Sequence, residues 1–386
     1  MKLLAVGGGS GGHVTPVLAV INALAKLDSS LAVRFVCDAS FESQSRGLMN
    51  AATVPVEVQT IVAGKLRRYH GETLLTKLLD WKTNLLNLRD ISFVAIGFFQ
   101  SLYILLRSRP DVVFAKGGYV CLPMGIAAAV LRVPLVIHDS DTRPGLTNKV
   151  LARFASAIGT GSPLENYGYD PKKSRYVGVP IHASFRPLDA AEKKAARHEL
   201  GLIDVNAPLV VVTGGGLGSM AINEAMVRSG DSIIEAGIHV FHVVGAQHFD
   251  NVEPRLPDHP HYVAVPFIYK DMHQVLGAAD LVVSRASATF LQELAGLAKP
   301  VIAIPAAHLG DQIKNAGVYG EAGAAKILTD KEIAEDTRLG DVIVELMQDT
   351  SQTEAMAQAL HAYARPHAAE DVAKMLQKNA SGRRSS

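Results

Sequence analysis

Short apolar runs punctuate the chain, and many are followed by a longer stretch in which apolar residues recur at helical spacing. Uninterrupted apolar runs of this length read as strands buried on both faces. They fall at 2–7, 32–37, 111–115, 134–138, 157–160 and 175–179, and again at 208–213, 238–244, 261–265, 280–284, 300–304 and 325–328. Helical stretches lie between many of them, at 15–27, 123–131, 146–154, 219–228, 288–297 and 311–321. This alternation predicts an α/β fold, with parallel sheets covered by helices on both faces.

The pattern breaks near 180–190, where "PIHASFRPLD" carries two prolines and leads into a charged helix at 191–200 that starts at Asp189. It reads as a linker. Beyond it the plan repeats, because "PLVVVTGGGLGSMAIN" (208–223) echoes "KLLAVGGGSGGHVTPV" (2–17) as strand, glycine loop and helix. The expected architecture is therefore two Rossmann-like domains facing a central cleft, 1–182 and 190–360. The final helices, 352–361 and 368–378, have no strand to follow, and the tail from 361 to 386 is a candidate to pack back on the first domain.

Composition narrows the class. With 386 residues there is chain enough for two cores. Hydrophobic residues at 48% and charged residues at 19% exclude a disordered chain, and a net charge of +1 gives no reason to expect nucleic acid as a partner. Cys37 and Cys121 are the only cysteines and have no metal-ligand spacing around them, which suits the cytoplasm. Glycines interrupt the apolar start of the chain, so it does not read as a signal peptide. The uncharged run 91–106 is shorter than the roughly 18–20 residues that span a bilayer, and reads as a buried or interfacial helix.

A glycine loop between strand and helix lets backbone N–H groups approach an anion, with the helix dipole adding positive potential. Two such loops, one per half, point to phosphate. Gly7, Gly9 and Gly12 satisfy a dinucleotide fingerprint and Asp38 ends the next strand, so an NAD-dependent oxidoreductase is a competing reading. Against it stand Pro16 in the first helical turn, His13 directly after the loop, and the lack of a second residue set suited to hydride transfer.

Further segments decide between these. They are "FAKGGYVCLPMGIAAAVLRVPLVIHDSDTRPGLTNKVLARFA" (114–155), "TGGGLGSMAIN" (213–223), "PFIYKDMHQVLGAADLVVSRASATFLQELAGLAKPVIAIP" (266–305) and "DQIKNAGVYGEAGAAKIL" (311–328). Together with "GGGSGGHVTPVLAV" they closely resemble the MurG family of glycosyltransferases over most of residues 1–330. The resemblance implies a GT-B fold and an inverting transfer of GlcNAc from UDP-GlcNAc to lipid I, the undecaprenyl-pyrophosphoryl-MurNAc-pentapeptide, giving lipid II for peptidoglycan. It implies no cofactor and no catalytic metal. The family pattern assigns donor contacts to Ser10, Gly11, Gly12, Asp141, His182, Gly216, Ile268, Arg285, Ala288, Thr289, Phe290, Leu291, Gln292, Glu293 and Gln312. Within these, the backbone of Ile268 would read uracil, Glu293 would accept from ribose hydroxyls, and Gln312 would both donate to and accept from the sugar. Arg285 would either pair with phosphate or brace a helix start. Acceptor contacts fall to Gly8, Gly9, Gly117, Gly118, Tyr119 and Asn148. His13 is the first choice for the base that deprotonates the acceptor, since imidazole titrates in the useful range. Asp139 is the rival, oriented by neighbours such as His138, or else it holds its own loop through backbone N–H groups.

The sequence departs from the family pattern at four of these positions. Asp139 replaces Glu, Asp141 replaces Asn, His182 replaces an Arg and Gly216 replaces a Ser. His182 lacks the guanidinium fork and carries charge only when protonated, so donor binding is expected to weaken as pH rises through its titration. The helical insert near 80–106 is also longer than expected. These departures leave room for a different acceptor or for a weakly catalytic nucleotide-sugar binder. A lipid acceptor requires a surface. Lys65, Arg67, Arg68, His70, Lys77, Lys82 and Arg89, interleaved with Leu74, Leu75, Leu78, Leu79, Trp81, Leu85 and Leu86, suit an anionic membrane. Peripheral attachment to the cytoplasmic face follows, with other cell-wall synthesis proteins as conceivable partners.

Overall fold

The computed structural model describes residues 1–8, 11–64, 81–268 and 270–384, with the side chains of 11–13, 81–88 and 381–384 excepted. The chain forms two compact units. One comprises Met1–Ile181 and His367–Ser386, the other His182–Pro366.

The first unit is built on β1 (Lys2–Val6), β2 (Ala32–Asp38), β3 (Val56–Ile61), β4 (Val112–Ala115), β5 (Leu135–Asp139), β6 (Ala157–Thr160) and β7 (Ser174–Tyr176), in the order β3-β2-β1-β4-β5-β6-β7. The second is built on β8 (Leu209–Thr213), β9 (His239–Val243), β10 (Tyr262–Val265), β11 (Leu281–Ser284), β12 (Val301–Ala303) and β13 (Lys326–Ile327), in the order β10-β9-β8-β11-β12-β13. Pairing is parallel throughout both sheets. In each, the order reverses beside the first strand, between β1 and β4 and between β8 and β11. Adjacent loops diverge there and leave a crevice at the carboxyl ends of the strands.

Burial explains why the apolar runs marked the central strands. Every residue of β4, β5, β8, β9 and β11 is buried. β3, "VEVQTI", is absent from the expected strands because it lies at the sheet edge and alternates polar with apolar residues. The helix Ala190–Glu199 starts as its sequence indicates, with Asp189 and Glu192 forming a reciprocal capping box. The helix Arg338–Gln348 escaped notice, although its Leu339, Val342, Ile343 and Leu346 at spacings of three and four are buried.

The last two helices part company. In Thr350–His361, Met356 and Leu360 are buried within the second unit. In Ala368–Arg384, the side chains of Val372, Ala373, Leu376 and Ala380 enter the core of the first unit, with Val17 and Ile21 of the helix Gly11–Leu27.

Candidate active site

In the first unit, the carboxyl ends of β1, β4 and β5 bring together Gly8, the 116–119 loop, Asp139–Asp141 and Asn148. Gly8 has little room: a Cβ there would lie 3.3 Å from Val120 Cγ2. Gly117 and Gly118 have φ of 109° and 86°, a region costly for other residues. The amide of Asn148 closes on Gly117, and its Nδ2 donates to the His138 carbonyl at 3.1 Å. Asn148 Oδ1 is buried with no partner among the described residues, an acceptor left over at the crevice.

Asp139 ends β5 and is 3% exposed. It accepts from Tyr169 Oη at 2.9 Å and from the Gly145 amide at 3.1 Å. Burial raises its pKa to about 7, with the nearby charge of Asp141 adding to this and the Tyr169 bond opposing it. His138 does not orient it, contrary to expectation. Neighbouring residues of a strand face opposite ways, and His138 Nε2 instead donates to the Gly178 carbonyl at 2.8 Å. Burial keeps that imidazole neutral.

Lys116, which sequence reasoning passed over, lies beneath this loop at 1% exposure, and its Nζ donates to Ser140 Oγ at 2.5 Å. Burial lowers its pKa, while Asp141 and Asp139 pull toward the charged form. The available signal was a single cation closing the apolar run before two glycines. Tyr169 gave no signal; only folding brings it to Asp139. Asp141, half-buried, accepts from Tyr167 Oη through its carbonyl. Tyr119 is partly buried, which raises its pKa. Gly9 and Ser10 lie outside the described residues, as does the side chain of His13. The backbone of Gly11, Gly12 and His13 forms the start of the helix Gly11–Leu27.

In the second unit, the loop Gly214–Gly218 follows β8. Gly215 and Gly218 have φ of 82° and 74°, and a Cβ on Gly214 would lie 2.2 Å from the Ser219 amide. Gly216 is exposed and a Cβ there meets nothing within 4 Å. After β11 comes the helix Ala288–Leu297, its first turn capped by Ser287 Oγ, which accepts from the Phe290 amide at 3.3 Å. Glu293 lies one turn in and is 8% exposed. Burial alone raises its pKa to about 8, and its carboxyl has no hydrogen-bond partner among the described residues. Gln312 Oε1 accepts from the Ala306 amide at 3.0 Å, which leaves its Nε2 for a ligand. Ile268, half-buried, packs against the core beyond β10.

Other residues expected to contact the donor also make contacts within the second unit. Arg285 donates to Ser219 Oγ and Asp330 Oδ1, both at 2.6 Å, and to the Ile304 carbonyl at 3.1 Å. It braces the start of the helix Met220–Glu235, one of the two roles expected of it. The Leu291 side chain is wholly buried in the core rather than turned to a ligand. Gln292 donates from Nε2 to the Tyr363 carbonyl at 3.1 Å. His182 begins the second unit, exposed, with Nδ1 2.8 Å from Ser184 Oγ.

Solved structures share this architecture. MurG of Acinetobacter baumannii superposes with a TM-score of 0.69 at 22% identity, covering 98% of this chain and 99% of that one. The UDP-GlcNAc 2-epimerase of Neisseria meningitidis, bound to UDP-GlcNAc, gives 0.68 at 14%, covering 98% and 100%. Two all-parallel sheets with glycine loops at their switch points define the GT-B class. The N-terminal domain of glycosyltransferase family 28 matches residues 3–160, and the family's C-terminal domain matches 209–374. A protein of Shouchella clausii (strain KSM-K16) is 34% identical over 371 residues, 92% of this chain and 96% of its own. One of Geobacillus kaustophilus (strain HTA426) is 32% identical over 339 residues, 87% and 88% respectively. Both are named UDP-N-acetylglucosamine–N-acetylmuramyl-(pentapeptide) pyrophosphoryl-undecaprenol N-acetylglucosamine transferase. The chain belongs to glycosyltransferase family 28 and is a glycosyltransferase. The oxidoreductase reading falls with that. Asp38, its would-be ribose ligand, caps the turn at Ser40, whose amide donates to it at 2.9 Å.

Proposed function

We propose that this enzyme transfers GlcNAc from UDP-GlcNAc to the MurNAc hydroxyl of lipid I, forming lipid II. The observation that carries the donor assignment is Glu293, a buried carboxyl without a partner among the described residues, at the carboxyl end of the second sheet. Paired ribose hydroxyls would donate to it. Gly214–Gly218 and the first turn of Ala288–Leu297 would supply N–H groups to the diphosphate, and the Ile268 backbone would meet the base. Gln312 Nε2 would reach a sugar hydroxyl.

The acceptor would lie on the first unit, its pyrophosphate against the glycines at 8–12 and 117–118. Its hydroxyl attacks the anomeric carbon as the bond to UDP breaks, with inversion, and its proton passes to a base. His13 is the group we assign to that step. Asp139 is committed to Tyr169 and Gly145, so we assign it to holding the 139–145 loop. Leaving-group charge is met by N–H donors.

Membrane attachment rests on the helix Trp81–Ser108. Ile96, Phe99, Tyr103 and Leu106, spaced 3, 4 and 3 apart, are exposed along one face, while Gly97, Ser101, Ile104 and Leu105 are buried on the other. Arg89–Ser108 is long and apolar enough, by length and composition, to cross a membrane, but its inner face is already used. The outward stripe suits insertion into one leaflet. Of the expected basic contacts only Arg89 is described, exposed and paired with Asp90 at 3.3 Å. Lys65, Arg67, Arg68, His70, Leu74, Leu75, Lys77, Leu78 and Leu79 lie outside the described residues, as do the side chains of Trp81, Lys82, Leu85 and Leu86.

The test is UDP release from UDP-GlcNAc with and without a lipid I analogue, in detergent with EDTA. Acceptor-dependent release is expected. UDP binding without release under either condition would refute the donor sugar or the acceptor.

A further inference from the structure

The amino-terminal edge of the second sheet, opposite the edge that carries Glu293, holds a separate cavity of about 560 Å3. Pro208, Asp280 and Pro300, which lie at its wall, each immediately precede a strand: β8, β11 and β12. The helix Ala190–Glu199 contributes Lys193, Lys194 and Arg197. The turn after Leu297 contributes Lys299, and the helix Thr350–His361 contributes Glu354.

The charges do not balance. Four cations face two carboxylates, Asp280 and Glu354. Asp280 is already shared. It accepts from Lys193 and Arg197 at 2.5 Å each and from the Leu209 amide at 2.8 Å. Those bonds hold its pKa low although burial works against them. Arg197 is further fixed by the carbonyls of Ala278, Val205 and Ala207. Lys299 Nζ donates to the Ala279 carbonyl at 2.8 Å, which uses one of its three possible donors. Burial pushes its pKa down to about 7, and Lys193 adds to the fall. Lys194 and Glu354 are exposed at the rim. A half-buried ammonium beside two other cations is a place where a bound anion removes an electrostatic cost.

We propose that this cavity binds a small phosphorylated metabolite, with its phosphoryl group among Lys193, Lys194 and Lys299. The volume lies within the roughly 300–1,000 Å3 of small-molecule sites, more than a bare oxyanion needs. Thr350 and Thr353 on the facing wall offer hydroxyls to the remainder of the ligand.

The test uses the full chain saturated with UDP, which separates this site from the donor site. Glucose 6-phosphate is titrated calorimetrically, with glucose as the uncharged comparator and sulfate as the bare dianion. Glucose 6-phosphate is expected to bind with a Kd at or below about 1 mM and glucose not at all. Lys194→Met, on the exposed rim, and Lys299→Met are each expected to weaken binding about tenfold. Neither should change UDP affinity. Sulfate keeps its charge between about pH 6.5 and about pH 8.5, so its binding should weaken over that range as Lys299 loses its proton. Lys299→Arg should bind without that pH dependence. Absence of glucose 6-phosphate binding up to about 10 mM, or full affinity in Lys194→Met, overturns the proposal. Sulfate binding as tightly as glucose 6-phosphate overturns the metabolite assignment.

Discussion

Glu293 is a residue at which stability and ligand binding oppose each other. An unfolded glutamate ionises near 4.5, whereas burial keeps this one neutral to about pH 8. The folded state therefore holds an extra proton between those values, and its stability falls as pH rises through that window. Glu293→Gln is expected to stabilise the unliganded protein at pH 8 by on the order of 1–3 kcal/mol and to weaken UDP binding at least about tenfold. Through Glu293, UDP affinity should rise toward pH 8 with proton release, the opposite of the trend expected through His182, and Glu293→Gln should abolish that rise. Thermal melts and calorimetry in two buffers check both, and unchanged UDP affinity in the variant removes the ribose role. Gly216 offers the converse experiment. Its loop has space for a side chain, so Gly216→Ser should leave stability within about 0.5 kcal/mol. The regained hydroxyl should tighten UDP binding by about 1 kcal/mol, some fivefold. Equal or weaker binding would mean that the hydroxyl does not reach the donor.

Among the elements, the helix Trp81–Ser108 carries the clearest division of labour. Gly97 lets it approach the backbone beyond β3, where a Cβ would lie 2.1 Å from the Val62 carbonyl oxygen. Gln100 Oε1 accepts from the Val62 amide at 2.7 Å. The helix is thus anchored on one face and apolar on the other. Each large side chain entering a lipid interface contributes about 2 kcal/mol, so Phe99→Asp with Leu106→Asp should cut liposome binding on the order of 1,000-fold. Flotation assays measure this, with turnover of a soluble acceptor analogue as the control for folding. Undiminished flotation would assign attachment elsewhere. The apolar run at 91–106 was evident in the sequence, but a membrane face and a core face have the same composition there. Burial separates them.

At the scale of the whole molecule, the chain leaves its first unit at Ile181 and returns at His367. The terminal helix Ala368–Arg384 is therefore part of the first unit's core. Ending the chain at Pro366 would strip Val372, Ala373, Leu376 and Ala380 from that core and cost at least about 3 kcal/mol. The first unit should unfold at lower temperature, while UDP still raises the melting temperature of the second. A single unchanged transition, detected by calorimetry, would show that the helix contributes nothing.

Apolar strand runs, glycine loops and their duplication determined the fold class and two domains from sequence alone, because strands buried on both faces and backbone positions closed to a Cβ restrict which residues are tolerated. Five motif blocks in order also pointed to the candidate site. Only tertiary structure decided how the side chains within those blocks divide their work. Arg285 and Leu291 stand in the same run as Glu293, yet one braces a helix, one fills a core and one is buried without a partner among the described residues. Strand alternation turned His138 away from Asp139, and long-range folding brought Tyr169 and Lys116 to that loop. Such roles depend on what lies opposite in space, information that local patterning does not hold.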